Sequence, residues 1–314
     1  MSGSPAAQRP HVSVIGAWWM GIRPKTLTAS AAPVLIGTAL AFYHGAMAPP
    51  AALAALAGGL LIQMGTNLAN DVLDYRRGAD KAERLGPTRV TQAGLLSPRA
   101  VALGGAACFV GAALLGLYLV SVGGAPILVL GVAAIASGVL YTAGPFPLAY
   151  VGLGDLFVLL FFGIGAVAGT YYVQALALDS AALWLGVAVG ALSVAILNVN
   201  NLRDIDGDRA AGKRTLAVRM GAPATRQYLA AVVAVAFSVP LGLIAFSRLP
   251  WQCALVLLAA PAGLGLVRAV RSGIGGRALG PWLGATSRLQ LLYAALLCAG
   301  LVVARMLQAA AEGP

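Results

Sequence analysis

The chain has 314 residues, 60% of them hydrophobic and only 10% charged, with a mean hydropathy of +0.86. Soluble domains carry about a quarter charged residues, so this composition excludes a water-soluble globular protein. It describes instead a chain built from membrane spans of about 20 apolar residues each. The net charge of +11 does not point to nucleic acid, because the basic residues are confined to the loops that flank apolar runs.

Residues 1–22 read as a cytoplasmic, interfacial lead-in. They hold no long apolar core or cleavage signal, and Trp18 and Trp19 sit where aromatic side chains anchor at a membrane surface. Nine apolar runs follow, near 25–44, 51–72, 99–121, 124–142, 152–173, 181–202, 226–247, 251–271 and 286–307. The expectation is an all-α membrane protein, a nine-transmembrane-helix bundle forming one integral-membrane domain over 1–314.

The Lys and Arg residues fix the expected orientation. With nine spans, 19 of the 21 fall on one side, and only Arg248 and Arg305 fall on the other. This places the N-terminus in the cytoplasm and the C-terminus outside. The three cysteines, Cys108, Cys253 and Cys298, lie far apart inside apolar runs and form neither a metal-ligand spacing nor a disulfide framework.

The acidic residues are distributed unlike the rest. Of ten, Asp71, Asp74, Asp80 and Glu83 lie in or just after the stretch NLANDVLDYRRGAD (67–80), and Asp204, Asp206 and Asp208 lie in NVNNLRDIDGD (198–208). Each stretch ends an apolar run, where ionisable groups are costly and usually functional. On a helix, residues three, four and seven apart share a face. Asn67, Asn70, Asp71 and Asp74 therefore form one polar stripe, and Asn198, Asn201, Asp204 and Asp208 form a second.

The two clusters are expected to face each other, hold divalent metal and bind a diphosphate. Carboxylate and amide oxygens are hard ligands suited to Mg²⁺, whereas His11 and His44 are isolated and offer no zinc or iron site. Arg76, Arg77, Lys81 and Arg84 follow the first cluster, and Arg209, Lys213 and Arg214 the second. Acid-held metal with Lys and Arg is the usual arrangement for stabilising a departing diphosphate. Membrane topology alone also accounts for many of these cations.

Four segments carry a resemblance: RPKTLTASAAPVLIGTALAF (23–42), NLANDVLDYRRGADKAERLGPTRVTQAG (67–94), YTAGPFPLAYVGLGD (141–155) and LNVNNLRDIDGDRAAGKRTLAVRMG (197–221). In this order they resemble the UbiA-type intramembrane aromatic prenyltransferases, and within them the branch acting on 1,4-dihydroxy-2-naphthoate. The resemblance implies that Asn67, Asp71 and Asp74 form the first metal and diphosphate motif, and Asp204 and Asp208 the second, with Arg77, Lys81, Arg84, Lys213 and Arg214 on the diphosphate. Asn70, Gln92, Tyr141, Asn198 and Asn201 are the expected substrate pocket, and Arg89 with Gln92 the expected cap of the aromatic substrate. Many relatives carry a third acid where Gly78 stands here, and Asp80 follows two residues later, a pattern of the naphthoate branch.

The implied reaction is a Mg²⁺-dependent transfer of a polyprenyl group from polyprenyl diphosphate to 1,4-dihydroxy-2-naphthoate, with loss of CO₂ and diphosphate. It would occur at the cytoplasmic face of a bacterial inner membrane, with no role for nucleic acid. The residues alone also leave room for another aromatic acceptor, such as 4-hydroxybenzoate or homogentisate. A secondary transporter would need its carboxylates near the midplane, and these lie at the ends of spans. A phosphatidyltransferase of the CDP-alcohol kind would need a DGxxAR-type motif, which the chain lacks.

Overall fold

A computed structural model describes residues 12–76, 86, 88–143 and 147–312, and among the described residues no strand occurs. Helix α1 (Val14–Ile22) starts on Ser13, whose hydroxyl accepts from the Gly16 N–H, and stops at Arg23, where the backbone turns left-handed at φ 54°. Pro24 opens α2 (Pro24–Tyr43) at the position where a missing N–H costs nothing. Helices α3 (Pro49–Arg76), α4 (Pro98–Gly123) and α5 (Ala125–Leu140) complete the first half.

The second half begins with α6 (Gly154–Leu159), which runs through a π-helical turn (Leu160–Ile164) into α7 (Gly165–Ala175). Helix α8 (Ser180–Arg203) and the short α9 (Ile205–Ala210) meet at Asp204. Then come α10 (Leu216–Ala245), a 3₁₀ segment (Trp251–Ala259) continuing into α11 (Ala260–Arg271), and α12 (Gly280–Glu312). Ser97, Asp179 and Thr215 cap α4, α8 and α10 by accepting from first-turn N–H groups.

Among the described residues, eight helical segments are long and apolar enough to cross a membrane. This is a multi-pass, all-helical membrane protein. Helix α5, with 16 residues, stands where the fourth span is expected and rises only about 24 Å at 1.5 Å per residue. Two other elements outrun their hydropathy. Helix α10 starts ten residues before the expected run and is broken at Gly221, with φ 77°. Helix α12 runs from Gly280 to Glu312. In α10 the extra residues hold Arg219 and the break at Gly221, and in α12 they are the Gly- and Pro-containing stretch 280–285 and the polar end 308–312, so neither extension reads as part of an apolar span.

Helix α8 is the axis of the bundle. Leu185, Val189, Leu192 and Val199 are completely buried, with α2, α7, α10 and α12 packed around them. By contrast α4 turns Leu103, Val110, Leu114 and Leu117 outward, the inside-out pattern of a lipid-facing helix. The closest seam lies at the π-turn. A Cβ on Gly163 would stand 2.5 Å from the Gly186 carbonyl oxygen and 2.7 Å from the Gly190 Cα, so α8 and the π-turn touch backbone to backbone. Gly165 and Gly169 face the Leu130 side chain of α5 instead.

Candidate active site

The C-terminal ends of α3 and α8 come together over a polar cavity of about 110 Å³. Helix α3 contributes Asn70 and Asp74; the α8–α9 junction contributes Asn200, Asn201, Asp204 and Asp208. Asp155, from the first turn of α6, lines the same cavity, as do Tyr141, Tyr150 and the cations Arg23, Arg89 and Lys213. The last turns of two spans are what place these groups. A helix leaves its final carbonyls open to cationic donors, and its side chains four apart point the same way. Asn70 and Asp74 are one such pair; Asn200, Asp204 and Asp208 are a run of three.

Each acid that the two clusters bring to the cavity is matched by a cation. Arg89 donates to the Asp74 carboxylate at 2.6 Å, and the Tyr150 hydroxyl donates to its other oxygen at 3.2 Å. Arg203 grips Asp204 in a fork, Nε at 2.8 Å and Nη2 at 2.6 Å, and also donates to the Asn200 amide oxygen at 2.8 Å. The Lys213 ammonium lies 3.8 Å from Asp208 and 4.8 Å from the centre of the Tyr150 ring. The Arg214 N–H donates to the Tyr150 carbonyl at 2.9 Å, tying the loop after α9 to the α5–α6 connection. The Thr142 hydroxyl donates to the Asn70 amide oxygen.

The structure divides the expected stripes. Asp74, Asp204, Asp208, Lys213, Asn70, Asn201 and Tyr141 share the cavity. Asn67 is turned to the other side of α3, donating to the Ile22 carbonyl at 2.9 Å and the Thr26 hydroxyl at 3.0 Å. Asp71 also turns away: its two oxygens accept from the Val90 and Thr91 N–H groups, both at 3.0 Å. It pins the loop that carries Arg89. Asn198 donates to the Thr225 carbonyl at 3.4 Å within the core. Gln92 is half-buried in the loop after Arg89 and Arg214 is exposed; neither lines the cavity. Arg77, Lys81, Arg84, Asp80 and Glu83 lie outside the described residues.

Asn200, Arg203, Tyr150, Arg23 and Asp155 line or brace the site without having been expected there. For Asn200 the signal was present, since it stands four residues before Asp204 and eight before Asp208. Asp155 closes the resembling segment 141–155, but it stands far along the chain from the other acids and is brought to them by the fold of α6.

Tyr141 is also where the polar cavity meets an apolar one. It lines a second chamber of about 100 Å³ with Phe157, Phe161 and Phe162; the Phe157 and Phe161 rings stack at 6.0 Å between centroids. Val34, Gly59, Ile62, Ala134, Phe161 and Ala166 are common to that chamber and a third, of about 390 Å³, between α3, α4, α5 and α7. The third is lined on its outer side by Leu117, Leu128 and Val132, side chains that face lipid. The three cavities form a series, from charged to apolar.

Among the described residues, no three His, Cys, Asp or Glu side chains converge closely enough to cage a metal by themselves. The donor set still fits a hard divalent cation. Asp74, Asp204 and Asp208 stand with the amides of Asn70, Asn200 and Asn201 around one cavity. Mg²⁺ typically takes one or two carboxylates and completes its shell with phosphate oxygens and water, so a cage made of protein alone is not required.

A bundle of membrane helices whose span ends enclose an acid-and-cation cavity, joined to an apolar chamber open toward lipid, defines an intramembrane enzyme site for an amphiphile with an anionic head. The UbiA prenyltransferase family profile matches residues 30–275, and the chain belongs to that family. It is 41% identical over 280 residues to the 1,4-dihydroxy-2-naphthoate octaprenyltransferase of Mycobacterium tuberculosis, covering 88% of this chain and 94% of the relative. To the protein of the same name from Escherichia coli it is 41% identical over 229 residues, 71% of this chain and 74% of the relative. Its fold is similar to that of a UbiA homolog from Aeropyrum pernix K1 (TM-score 0.66, 17% identity, covering 88% and 97% of the two chains). It is similar also to a UbiA homolog from Archaeoglobus fulgidus solved with DMAPP and Mg²⁺ (TM-score 0.64, 15% identity, 90% and 99% covered).

Proposed function

We propose that this protein transfers a polyprenyl group from a polyprenyl diphosphate to 1,4-dihydroxy-2-naphthoate, releasing diphosphate and CO₂ and yielding demethylmenaquinol. The observation that carries the reading is the junction at Tyr141, where a cavity lined by acids and cations gives onto a chamber with no charge. An allylic diphosphate has that same division between an anionic head and a greasy tail. The name shared by the M. tuberculosis and E. coli relatives supplies the acceptor.

The diphosphate occupies the polar cavity. Asp74, Asp204 and Asp208, with Asn70 and Asn200, would hold Mg²⁺ there; bound, it neutralises charge on the leaving diphosphate oxygens. Lys213 and Arg23 supply positive charge from the protein side, and Arg77, Lys81 and Arg84 are assigned to the same head on the sequence alone. As the C–O bond of the donor breaks, negative charge accumulates in this cavity and positive charge on the allylic carbon. Fixed donors aimed at developing charge lower such a barrier without reorganising. The apolar chamber keeps water from the allylic cation, which water would otherwise quench. Phe157 and Phe161 wall that chamber, and the tail continues between α3, α4, α5 and α7 toward lipid. Asp71 and Asn67 are positioning residues in this reading: one fixes the loop bearing Arg89, the other fixes α1 and α2 to α3.

We assign α5 as the fourth span, which brings the eight longer ones to nine, and the whole chain as one domain behind the lead-in of residues 1–22. The distribution of Lys and Arg supports a polar cavity at the cytoplasmic face of a bacterial inner membrane, with the N-terminus inside and the C-terminus outside. The test is a product assay offering 1,4-dihydroxy-2-naphthoate, 4-hydroxybenzoate and homogentisate against one polyprenyl diphosphate, with and without EDTA. Prenylated, decarboxylated naphthoquinol from the first acceptor alone is the expected result. Preferential turnover of another acceptor overturns the assignment.

A further inference from the structure

The cavity holds one carboxylate that the diphosphate reading does not use. Asp155 is 7% exposed and lines the polar cavity from the first turn of α6. Among the described residues it forms no ion pair and accepts no side-chain hydrogen bond, whereas Asp74, Asp204 and Asp208 each have a cation. It does not gather with two of those acids into a metal-binding group. Its position is at the chemical boundary. A Cβ on the adjoining Gly154 would stand 3.3 Å from the Tyr141 hydroxyl, and Tyr141 lines both the polar and the apolar chamber. Two residues further along the same helix, Phe157 faces the apolar side.

A buried carboxylate is normally matched by donors. Here the lone pairs not met by its own backbone remain for something that enters the cavity. The donor's diphosphate is anionic and would be repelled. A neutral hydroxyl is the complementary group, and the acceptor ring must bring one to this boundary to meet the allylic carbon.

We propose that Asp155 is the catalytic base for the aromatic acceptor, taking the proton of the hydroxyl next to the carboxylate-bearing ring carbon and later giving it back. This rests on the reading of the reaction given above. Transfer of the proton to Asp155 leaves an electron pair on the hydroxyl oxygen. The pair moves into the ring as the neighbouring carbon bonds to the allylic carbon, and that oxygen becomes a ketone. The carbon now bears both the prenyl group and the carboxylate, a β-keto acid. Its carbon–carboxylate bond breaks, CO₂ leaves, and the electron pair restores the ring and an anionic oxygen. Asp155 returns its proton to that oxygen. The residue ends as it began, and no further acid, base or oxidant is needed.

The experiment compares wild type with D155N in the full-length protein in detergent micelles. Turnover of 1,4-dihydroxy-2-naphthoate should fall about 10²–10⁴-fold, the usual contribution of a positioned base. Affinity for a prenyl thiodiphosphate that cannot ionise, read by thermal shift with Mg²⁺, should stay at the wild-type value. A ring-fluorinated acceptor whose hydroxyl is already ionised at the assay pH should recover most of the D155N rate relative to wild type, which a merely structural role for the carboxylate would not produce. Unchanged turnover in D155N, an equal loss of thiodiphosphate affinity, or no recovery with the ionised acceptor each overturns the proposal. If D155N does not fold, D155E and D155Q, similar in bulk and unlike in basicity, make the same comparison. If the wild type prenylates a different phenol, the naphthoate assignment fails, and the D155N comparison with that phenol still decides the role of Asp155.

Discussion

The Arg89 guanidinium meets the Asp74 carboxylate at 2.6 Å with both side chains nearly sealed, 4% and 5% exposed. The pair closes the loop after α3 back onto the helix it leaves, so a group of the polar cavity is also a structural clasp. Removing one member of a buried ion pair strands the other and costs about 3–5 kcal/mol, whereas replacing both by apolar groups is often neutral. R89M alone should therefore melt well below wild type in detergent. The double variant D74L/R89M should recover most of the stability and none of the activity. Recovery of activity in the double variant would remove Asp74 from the diphosphate site.

Asp204 and Asp208 face the cavity, and Asp206 between them does not: its side chain is 90% exposed and pairs with Arg209 on the surface. D204N and D208N should each lower kcat by about 10²-fold or more, the effect of deleting one preorganised electrostatic group. D206N should leave turnover unaltered and shift stability by no more than about 0.5 kcal/mol. Steady-state kinetics of the three variants side by side checks the assignment of faces.

Asp71 accepts two backbone N–H bonds from the loop and does not line the cavity. D71N keeps one acceptor oxygen and loses the other, at a cost of about 1–3 kcal/mol for the stranded donor. Turnover should persist at a reduced level, while hydrogen exchange at the Val90 and Thr91 amides should quicken. A complete loss of turnover with slow exchange retained would return Asp71 to the chemistry.

Exhaustive dialysis against EDTA should abolish product formation, and Mg²⁺ should restore it. Since the candidate ligands are oxygen donors with no His or Cys among them, Zn²⁺ should restore less. Activity that survives chelation would leave charge neutralisation to Lys213 and the arginines alone.

G163A should destabilise by about 1–3 kcal/mol, because its methyl would meet the Gly186 and Gly190 backbone. Gly131 lines the large apolar chamber, and a methyl placed on it would find no atom within 4 Å. G131L should therefore fold normally and discriminate against long-tailed donors, with kcat/KM for geranyl diphosphate less affected than for a polyprenyl donor.

Hydropathy located the spans because lipid demands apolar length, and the expected runs near 25–44 and 181–202 lie within a residue or so of α2 and α8. What hydropathy lacks is rotation about the helix axis. Asn67 with Asp71, and Asn70 with Asp74, are both four-residue pairs on α3, and nothing local distinguishes them. Packing decides, with α1 and the loop after α3 claiming the first pair and leaving the second for the cavity. Asp155 was invisible for a different reason. Clustering along the chain directs attention to neighbours, and this carboxylate reaches the others only because α6 starts beside Tyr141. Helix α10 shows the limit at boundaries, since a left-handed Gly221 breaks it where no apolar signal changes.

The seam at Gly163, Gly186 and Gly190 has a bearing on how such an enzyme diversifies. With bare backbone on both sides, that seam admits no larger side chain and has no smaller one to exchange. Adaptation to quinones of other isoprenoid lengths must then come from the walls of the large chamber itself, where α4 and α5 carry Gly116, Leu117, Leu128 and Gly131 beside the small residues of α3 and α7, and a designer seeking a shorter or longer product would remodel those walls and leave the seam alone.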